Sequence, residues 1–415
     1  MDANKDEIQV LMMGARRAGK TSTLSGLLSM LNSNELREYL SIQELTTSHD
    51  SISSLSGKIK KLESVLRDSL GKTILMDEGS TSSFIDYTIQ VNIPDNGGSL
   101  KITFTDSNGE FYANGNIHAE SVKEKIAHYD IIVIAIDTPF LMEMYNPNNK
   151  LCTQSVGQAY NQIDNVHNLL CSIDDDNGKN AKLVFFSPIK CELWANRGEL
   201  DKVSECVKKA YETPIRALCA FSNIEVVILP IITIGGLEFE AHRKALTLSN
   251  SVLGNVNCSP IGDNGLLLSN GSTYAISQGD TVQPDPKALI EGFNITRPNS
   301  WFKVVSSHYS PRNCEQLAYY ILQFALIKSL KLKKQVEEER NDRRWWQVPL
   351  AVVLIASGVG AWGAGLLAYH FIAKRLGSVK TEKLQATINK LKKNGLFKVD
   401  VDGIVILNKG VVSDN

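Results

Sequence analysis

Residues 8–22 read IQVLMMGARRAGKTS. An apolar run of strand length ends in Gly14-Ala15-Arg16-Arg17-Ala18-Gly19-Lys20-Thr21, and SGLLSMLNS then opens a helix. The octapeptide satisfies GxxxxGK[ST] in the strand–loop–helix setting that gives this pattern its meaning. Such a loop works by converging backbone N–H groups on phosphate oxygens at a helix N-terminus, with glycines admitting close approach. In that frame Lys20 reaches the β- and γ-phosphates, Thr21 coordinates Mg²⁺, and Ser22 completes the loop. Two arginines stand where a flexible, glycine-rich turn is usual.

The chain has 415 residues, which predicts two or three structural units rather than one core. Its 44 Lys and Arg balance 45 Asp and Glu, so no whole-protein field points to nucleic acid, and no nucleic-acid partner is expected. Seven scattered cysteines never form CxxC, which argues against a zinc ribbon and for a reducing compartment. The N-terminal MDANKDEIQV lacks the apolar core of a signal peptide.

Further strand-length apolar runs follow at 87–93 (YTIQVNI), 101–106 (KITFTD), 130–137 (DIIVIAID), 182–187 (KLVFFS) and 224–230 (IEVVILP). Several are apolar almost throughout, as strands covered on both faces must be. Only 87–93 and 101–106 are close together, joined by PDNGGSL, which predicts one hairpin and one antiparallel strand. The expected fold class is therefore α/β: a doubly wound, mostly parallel six-stranded sheet with helical and loop insertions, followed by a C-terminal transmembrane helix. The helical insertion, about 33–75, carries an apolar stripe at Ile52, Leu55, Ile59, Leu62, Leu66 and Leu70 that packs on the sheet or pairs with a partner helix. Residues 241–310 are rich in Asn, Ser and Gly and read as a loop-rich insertion.

A metal-facing acid is expected at the end of a neighbouring strand, and Asp106 ends KITFTD with Gly109 three residues on. Together with the phosphate loop, this pair resembles the DxxG element of Ras-like (TRAFAC-type) P-loop GTPases. The resemblance implies that Asp106 holds Mg²⁺ through water and that the Gly109 N–H contacts the γ-phosphate. It implies a further Mg²⁺ ligand before the hairpin, at Thr81, with Ser80, Ser82 and Ser83 as rivals. Lys190 and Glu192, after KLVFFSPI, hold the spacing of the base-reading (N/T)KxD motif. Lys190 would pack on the base and Glu192 would accept from guanine N1–H and the 2-amino group. Ile189 replaces the usual Asn or Thr and Glu192 the Asp, which sets guanine specificity apart from the family pattern. Thr233 to Gly235 match the backbone loop that contacts the base. Glu110 stands where many relatives carry the glutamine that orients the attacking water, which implies slow turnover without a partner. Arg16 is expected either as a cis arginine finger or, with Arg17, as an outward-facing side chain.

From Val348 to Ala373 the only ionisable side chains are Tyr369 and His370. As a helix these residues would extend roughly 39 Å, enough to cross a bilayer. The expected organisation is a GTPase domain (1–240), the insertion (241–310), a helix and charged connector (311–346), a single membrane span (347–373) and a small helix–hairpin tail (374–415) on the far side. Small residues repeating every four positions from Ala356 to Ala368 predict self-association of that span. The reading is a membrane-anchored, GTP/GDP- and Mg²⁺-binding switch with a cytoplasmic nucleotide domain and an unidentified protein effector. Its layout is similar to membrane-anchored prokaryotic GTPases of anti-phage conflict systems. The alternatives are a P-loop ATPase or kinase, and a nucleotide-binding membrane scaffold.

Overall fold

The computed structural model describes residues 7–31, 34–45, 49–76, 84–94, 98–109, 126–171, 182–290, 293–342, 381–393 and 404–408, with 123 and 173. The six runs read from the sequence are strands: β1 (Glu7–Gly14), β4 (Ile85–Ile93), β5 (Gly98–Asp106), β6 (Ile131–Asp137), β7 (Lys182–Ile189) and β8 (Ile224–Ile228). Between β1 and β4 lie the short β2 (Ser41–Leu45) and β3 (Thr73–Leu75). Among the described residues the main sheet has eight strands in the order β18-β8-β7-β6-β1-β5-β4-β2, where β18 is Val405–Asn408.

β6 and β7 are buried at every position, which is why their sequences are apolar without alternation. β1 pairs in parallel with β5 on one side and β6 on the other. The chain therefore crosses over β1 between β5 and β6, and the carboxyl ends of these strands meet at a topological switch point, where open α/β sheets bind ligands. Register sets the details: Met12 lies opposite Asp106, Gly14 opposite Ala135 and Asp137 opposite Ile189.

Three features correct the expected fold class. First, the stretch expected to be loop-rich is built of antiparallel strands. β9 (Leu237–Arg243) is followed by β10 (Leu246–Asn250), β11 (Gly254–Ile261), β12 (Gly265–Leu268), β13 (Thr273–Ala275) and β14 (Thr281–Pro284); then come β15 (Leu289–Ile290), β16 (Ile295–Thr296) and β17 (Asn299–Val304). β10 to β14 form a five-stranded sheet over a small core that includes Leu248, Cys258, Leu266 and Leu268. β17 pairs with both β9 and β3, and Trp301 is fully buried with its indole N–H donating to Ser259 Oγ at 2.8 Å. These strands are short and most of them carry polar residues, so their composition resembles that of loops. Second, Ser41–Leu45, inside the expected helical insertion, pairs antiparallel with β4 at the sheet edge. The helix of that insertion, His49–Asp68, buries Leu55, Leu62 and Leu66, whereas Leu70 lies beyond it and is exposed.

Third, the transmembrane helix is corrected. Among the described residues no helix is long and apolar enough to cross a membrane, and 347–373 lies outside those residues. The long helix Cys314–Asp342 starts apolar, burying Leu317, Ile321 and Phe324, but ends in the charged run KKQVEEERND. The tail is not on a far side. The helix Thr381–Lys393 buries Leu384, Ile388 and Leu391 in the main core, and β18 pairs antiparallel with β8. A single crossing between 342 and 381 would separate these elements from the sheet they complete.

Candidate nucleotide site

The loop after β1 adopts its shape through three residues with positive φ: Gly14 at 137°, Arg17 at 60° and Gly19 at 111°. A Cβ on Gly14 would lie 2.3 Å from the Ala135 carbonyl oxygen, so β6 passes too close for any side chain there. Arg17 takes a left-handed conformation that disfavours side chains, which explains why a glycine-rich turn is the usual solution at this point. Lys20 opens the helix Lys20–Leu31 and folds back over the loop, its Nζ donating to Gly14 O and Ala15 O at 2.8 Å each. Burial pushes the Lys20 ammonium down to about 8; the charge of Asp106 opposes that shift and Lys190 adds to it.

β5 delivers the acid. Asp106 is fully buried, and Thr21 Oγ1 donates to its Oδ2 at 2.6 Å. The following loop is tied to β1 by Ser107 Oγ donating to Met12 O at 2.6 Å. It then brings Gly109 against the phosphate loop: a Cβ on Gly109 would sit 2.3 Å from the Arg16 backbone nitrogen. Two hard oxygen donors this close, one ionisable, suit a Mg²⁺ that keeps waters and phosphate oxygens as its other ligands. Among the described residues no three His, Cys, Asp or Glu side chains form a metal cluster, as such a cation would not require. Thr81 and Glu110 lie outside the described residues.

β7 and β8 supply the other end. Lys190 is left-handed at φ 62°, and its backbone N–H donates to Thr233 Oγ1 at 3.0 Å. Its ammonium bonds Asp137 Oδ2 at 2.5 Å and the Arg17 carbonyl at 3.1 Å. Burial depresses this ammonium, but Asp137 and Tyr160 together outweigh it and hold the pKa above the usual lysine value. Glu192 is buried, and its Oε1 accepts from the Ile234 N–H at 2.8 Å and the Gly235 N–H at 3.2 Å. Burial raises its carboxyl pKa, while those N–H groups and Lys190 pull the other way.

Gly19, Lys20, Thr21, Gly109, Lys190, Glu192 and Thr233 thus line one cleft that opens to solvent, together with Arg16, Arg17 and Ser22. Gly14, Ala15, Ala18 and Asp106 do not line the cleft; Ala15, Ala18 and Asp106 are buried beneath it.

Sequence reasoning missed several contributors. Asp137 ends an all-apolar strand as Asp106 does, and that parallel was a usable signal. Lys58, Met76, Leu237 and Phe302 also line the cleft, with Lys190 Nζ 5.8 Å from the Phe302 ring centroid. Lys58 comes from the helix His49–Asp68, and Met76, Leu237 and Phe302 arrive through the pairing of β3, β9 and β17, which no local pattern announces.

A glycine loop between the central parallel strand and a helix, with its lysine and a strand-end acid in place, defines a P-loop nucleotide-binding fold. No protein-family model matches this sequence, and no curated protein matches it. Among solved structures, the chain is similar to the S. cerevisiae Ski7 GTPase-like domain bound to GDP and inorganic phosphate, at 10% identity and a TM-score of 0.31, covering 73% of this chain and 71% of that one. The same domain bound to GTP gives 11% identity and a TM-score of 0.31, over 72% and 70%. A likeness this distant carries no argument beside the chain's own geometry.

Proposed function

We propose that the chain binds a guanine nucleotide with Mg²⁺ in this cleft and hydrolyses GTP slowly. The observation that carries the reading is the arrangement of Lys190 and Glu192. Lys190 braces the phosphate loop through the Arg17 carbonyl, and Glu192 is locked by the backbone of the loop after β8. The carboxyl group is thereby fixed against that loop while its side chain lines the cleft where a base would lie. An acceptor at that point suits the N1–H and 2-amino donors of guanine; adenine presents no such pair of donors.

At the phosphate end, Lys20 and the loop N–H groups bind and orient the chain of phosphates. Thr21 and Asp106 would hold Mg²⁺, which supplies charge neutralisation at the β- and γ-phosphates. Arg16 and Arg17 at the cleft wall add positive charge there. Hydrolysis is expected to be slow because the residue after Gly109 is Glu110, a carboxylate, in place of an amide that orients water. The anti-phage setting implied by the layout depended on the membrane span and has no support among the described residues. A role as a switch acting on a protein effector is part of this proposal and rests on the nucleotide site alone.

Titrating fluorescent GDP, GTP and ATP analogues with Mg²⁺ against the full chain and Lys20→Ala tests the reading. Guanine binding that is lost in Lys20→Ala supports it. ATP bound more tightly than GTP contradicts it.

A further inference from the structure

Gln162 stands between the helices Gln154–Tyr160 and Ile163–Leu170 with φ 51°, a left-handed backbone in a residue other than glycine. Its buried side chain donates from Nε2 to the Gly109 carbonyl oxygen at 3.0 Å. Its Oε1 is buried as well and finds no hydrogen-bond partner among the described residues. Left-handed strain and a bare buried acceptor each cost stability, and such costs concentrate where geometry serves a site.

The two preceding residues are committed to the same cleft. Tyr160 donates from its hydroxyl to the Arg16 carbonyl at 3.0 Å. Asn161 clasps the Asp137 backbone, accepting from its N–H at 2.8 Å and donating to its carbonyl at 3.3 Å. Three consecutive residues therefore hold the phosphate loop, the strand end that pairs Lys190, and the loop after Asp106.

Gly109 matters most among these contacts. It lines the cleft while Gln162 stands behind it, so the hydrogen bond draws the Gly109 carbonyl away from the cleft. A glycine rotates more freely than any other residue. Released, that carbonyl oxygen can turn towards the loop end where a terminal phosphate would emerge, and the two negative ends repel. We propose that Gln162 is a positioning residue: it keeps the Gly109 carbonyl out of the terminal-phosphate space and so favours a nucleoside triphosphate over the diphosphate. This rests on the guanine-nucleotide reading above.

The test compares the full-length wild type with Gln162→Leu and Gln162→Gly, measuring Kd for GDP and for a non-hydrolysable GTP analogue with Mg²⁺. Gln162→Gly removes the donor while relieving the left-handed backbone, so it reports even if the leucine variant folds poorly. Both variants are expected to lose about tenfold in analogue affinity, the worth of one hydrogen bond, with GDP affinity within about twofold of wild type. Equal weakening of both nucleotides, or no change in their ratio, overturns the proposal while leaving the guanine reading standing. A wild type that binds neither nucleotide contradicts the guanine reading and this proposal with it.

Discussion

The Lys190 ammonium lies 2.5 Å from Asp137 Oδ2, and the Asp137 side chain is fully buried. The pair joins the end of β6 to the residue after β7, and through the Arg17 carbonyl it reaches the phosphate loop. Lys190→Met leaves that carboxylate without its counter-ion in the interior, where breaking a pair costs about 3–5 kcal/mol. Urea denaturation should show a loss of that size. Adding Asp137→Asn should recover much of it, since the uncompensated charge is then gone. A loss below about 1 kcal/mol would mean the pair is not the buried element described here.

Lys20 titrates in an accessible range. Its folded-state pKa is lowered from 10.5 to about 8, so below that value it is already charged and above it the free site loses its cation. Bound phosphates favour the charged form, so binding at alkaline pH must take up a proton. Nucleotide affinity should be flat below about pH 8 and then fall with rising pH, up to about tenfold per unit. Calorimetry in buffers of different ionisation enthalpy should detect the proton. A flat profile through that range would show that Lys20 does not meet the phosphates.

Gly14→Ala should be severe for two reasons. Its φ of 137° disfavours any side chain, and the added Cβ would stand 2.3 Å from backbone, the Ala135 carbonyl oxygen, which has nowhere to go. A loss of about 3 kcal/mol or more is expected by thermal or chemical denaturation. Gly57, with open space around its Cβ position on the exposed face of its helix, should instead tolerate or gain from alanine by up to about 1 kcal/mol.

Arg17→Gly separates backbone from side chain. Relief of the left-handed conformation and the added freedom of the unfolded chain are each about 1 kcal/mol and opposite in sign. Stability should therefore stay within about 0.5 kcal/mol. Nucleotide affinity should fall all the same, because a cation at the cleft wall is lost. Unchanged affinity would assign Arg17 to the solvent side.

Most of the site's frame was legible before any coordinates. Several of the apolar runs that became β1 and β4 to β8 carry the pattern of doubly covered strands, β4 alternates as a half-covered one, and every candidate motif except that at Thr81 follows one of them. That is why Gly14 to Ser22, Asp106, Gly109, Lys190, Glu192 and Thr233 could be marked as one group. Legibility ended where structure depends on partners distant in sequence. β17 pairs with β3 across more than 200 residues, and β18 with β8 across nearly as many, while β3, β17 and β18 are too short to announce a partner. The run from Val348 to Ala373 was read from its own composition alone, without the information that its flanks return to one sheet. Tyr160, Asn161 and Gln162 had no motif to mark them, because their importance lies in three backbone carbonyls and one backbone N–H that only the fold brings near.

The base assignment of Glu192 is the centre of the account, and a change of one atom type tests it. In Glu192→Gln the Ile234 and Gly235 N–H groups should keep the side-chain oxygen, turning the amide NH₂ towards the base. Guanine N1–H and the 2-amino group then meet a donor, whereas xanthine offers an acceptor at the 2-position. The measurement is the Kd of the full chain and of Glu192→Gln for GDP and xanthosine diphosphate. The account predicts that wild type prefers GDP and the variant prefers the xanthine nucleotide, a reversal of about tenfold or more in each direction. The same preference in both proteins, or tight binding of either nucleotide indifferent to residue 192, would contradict it.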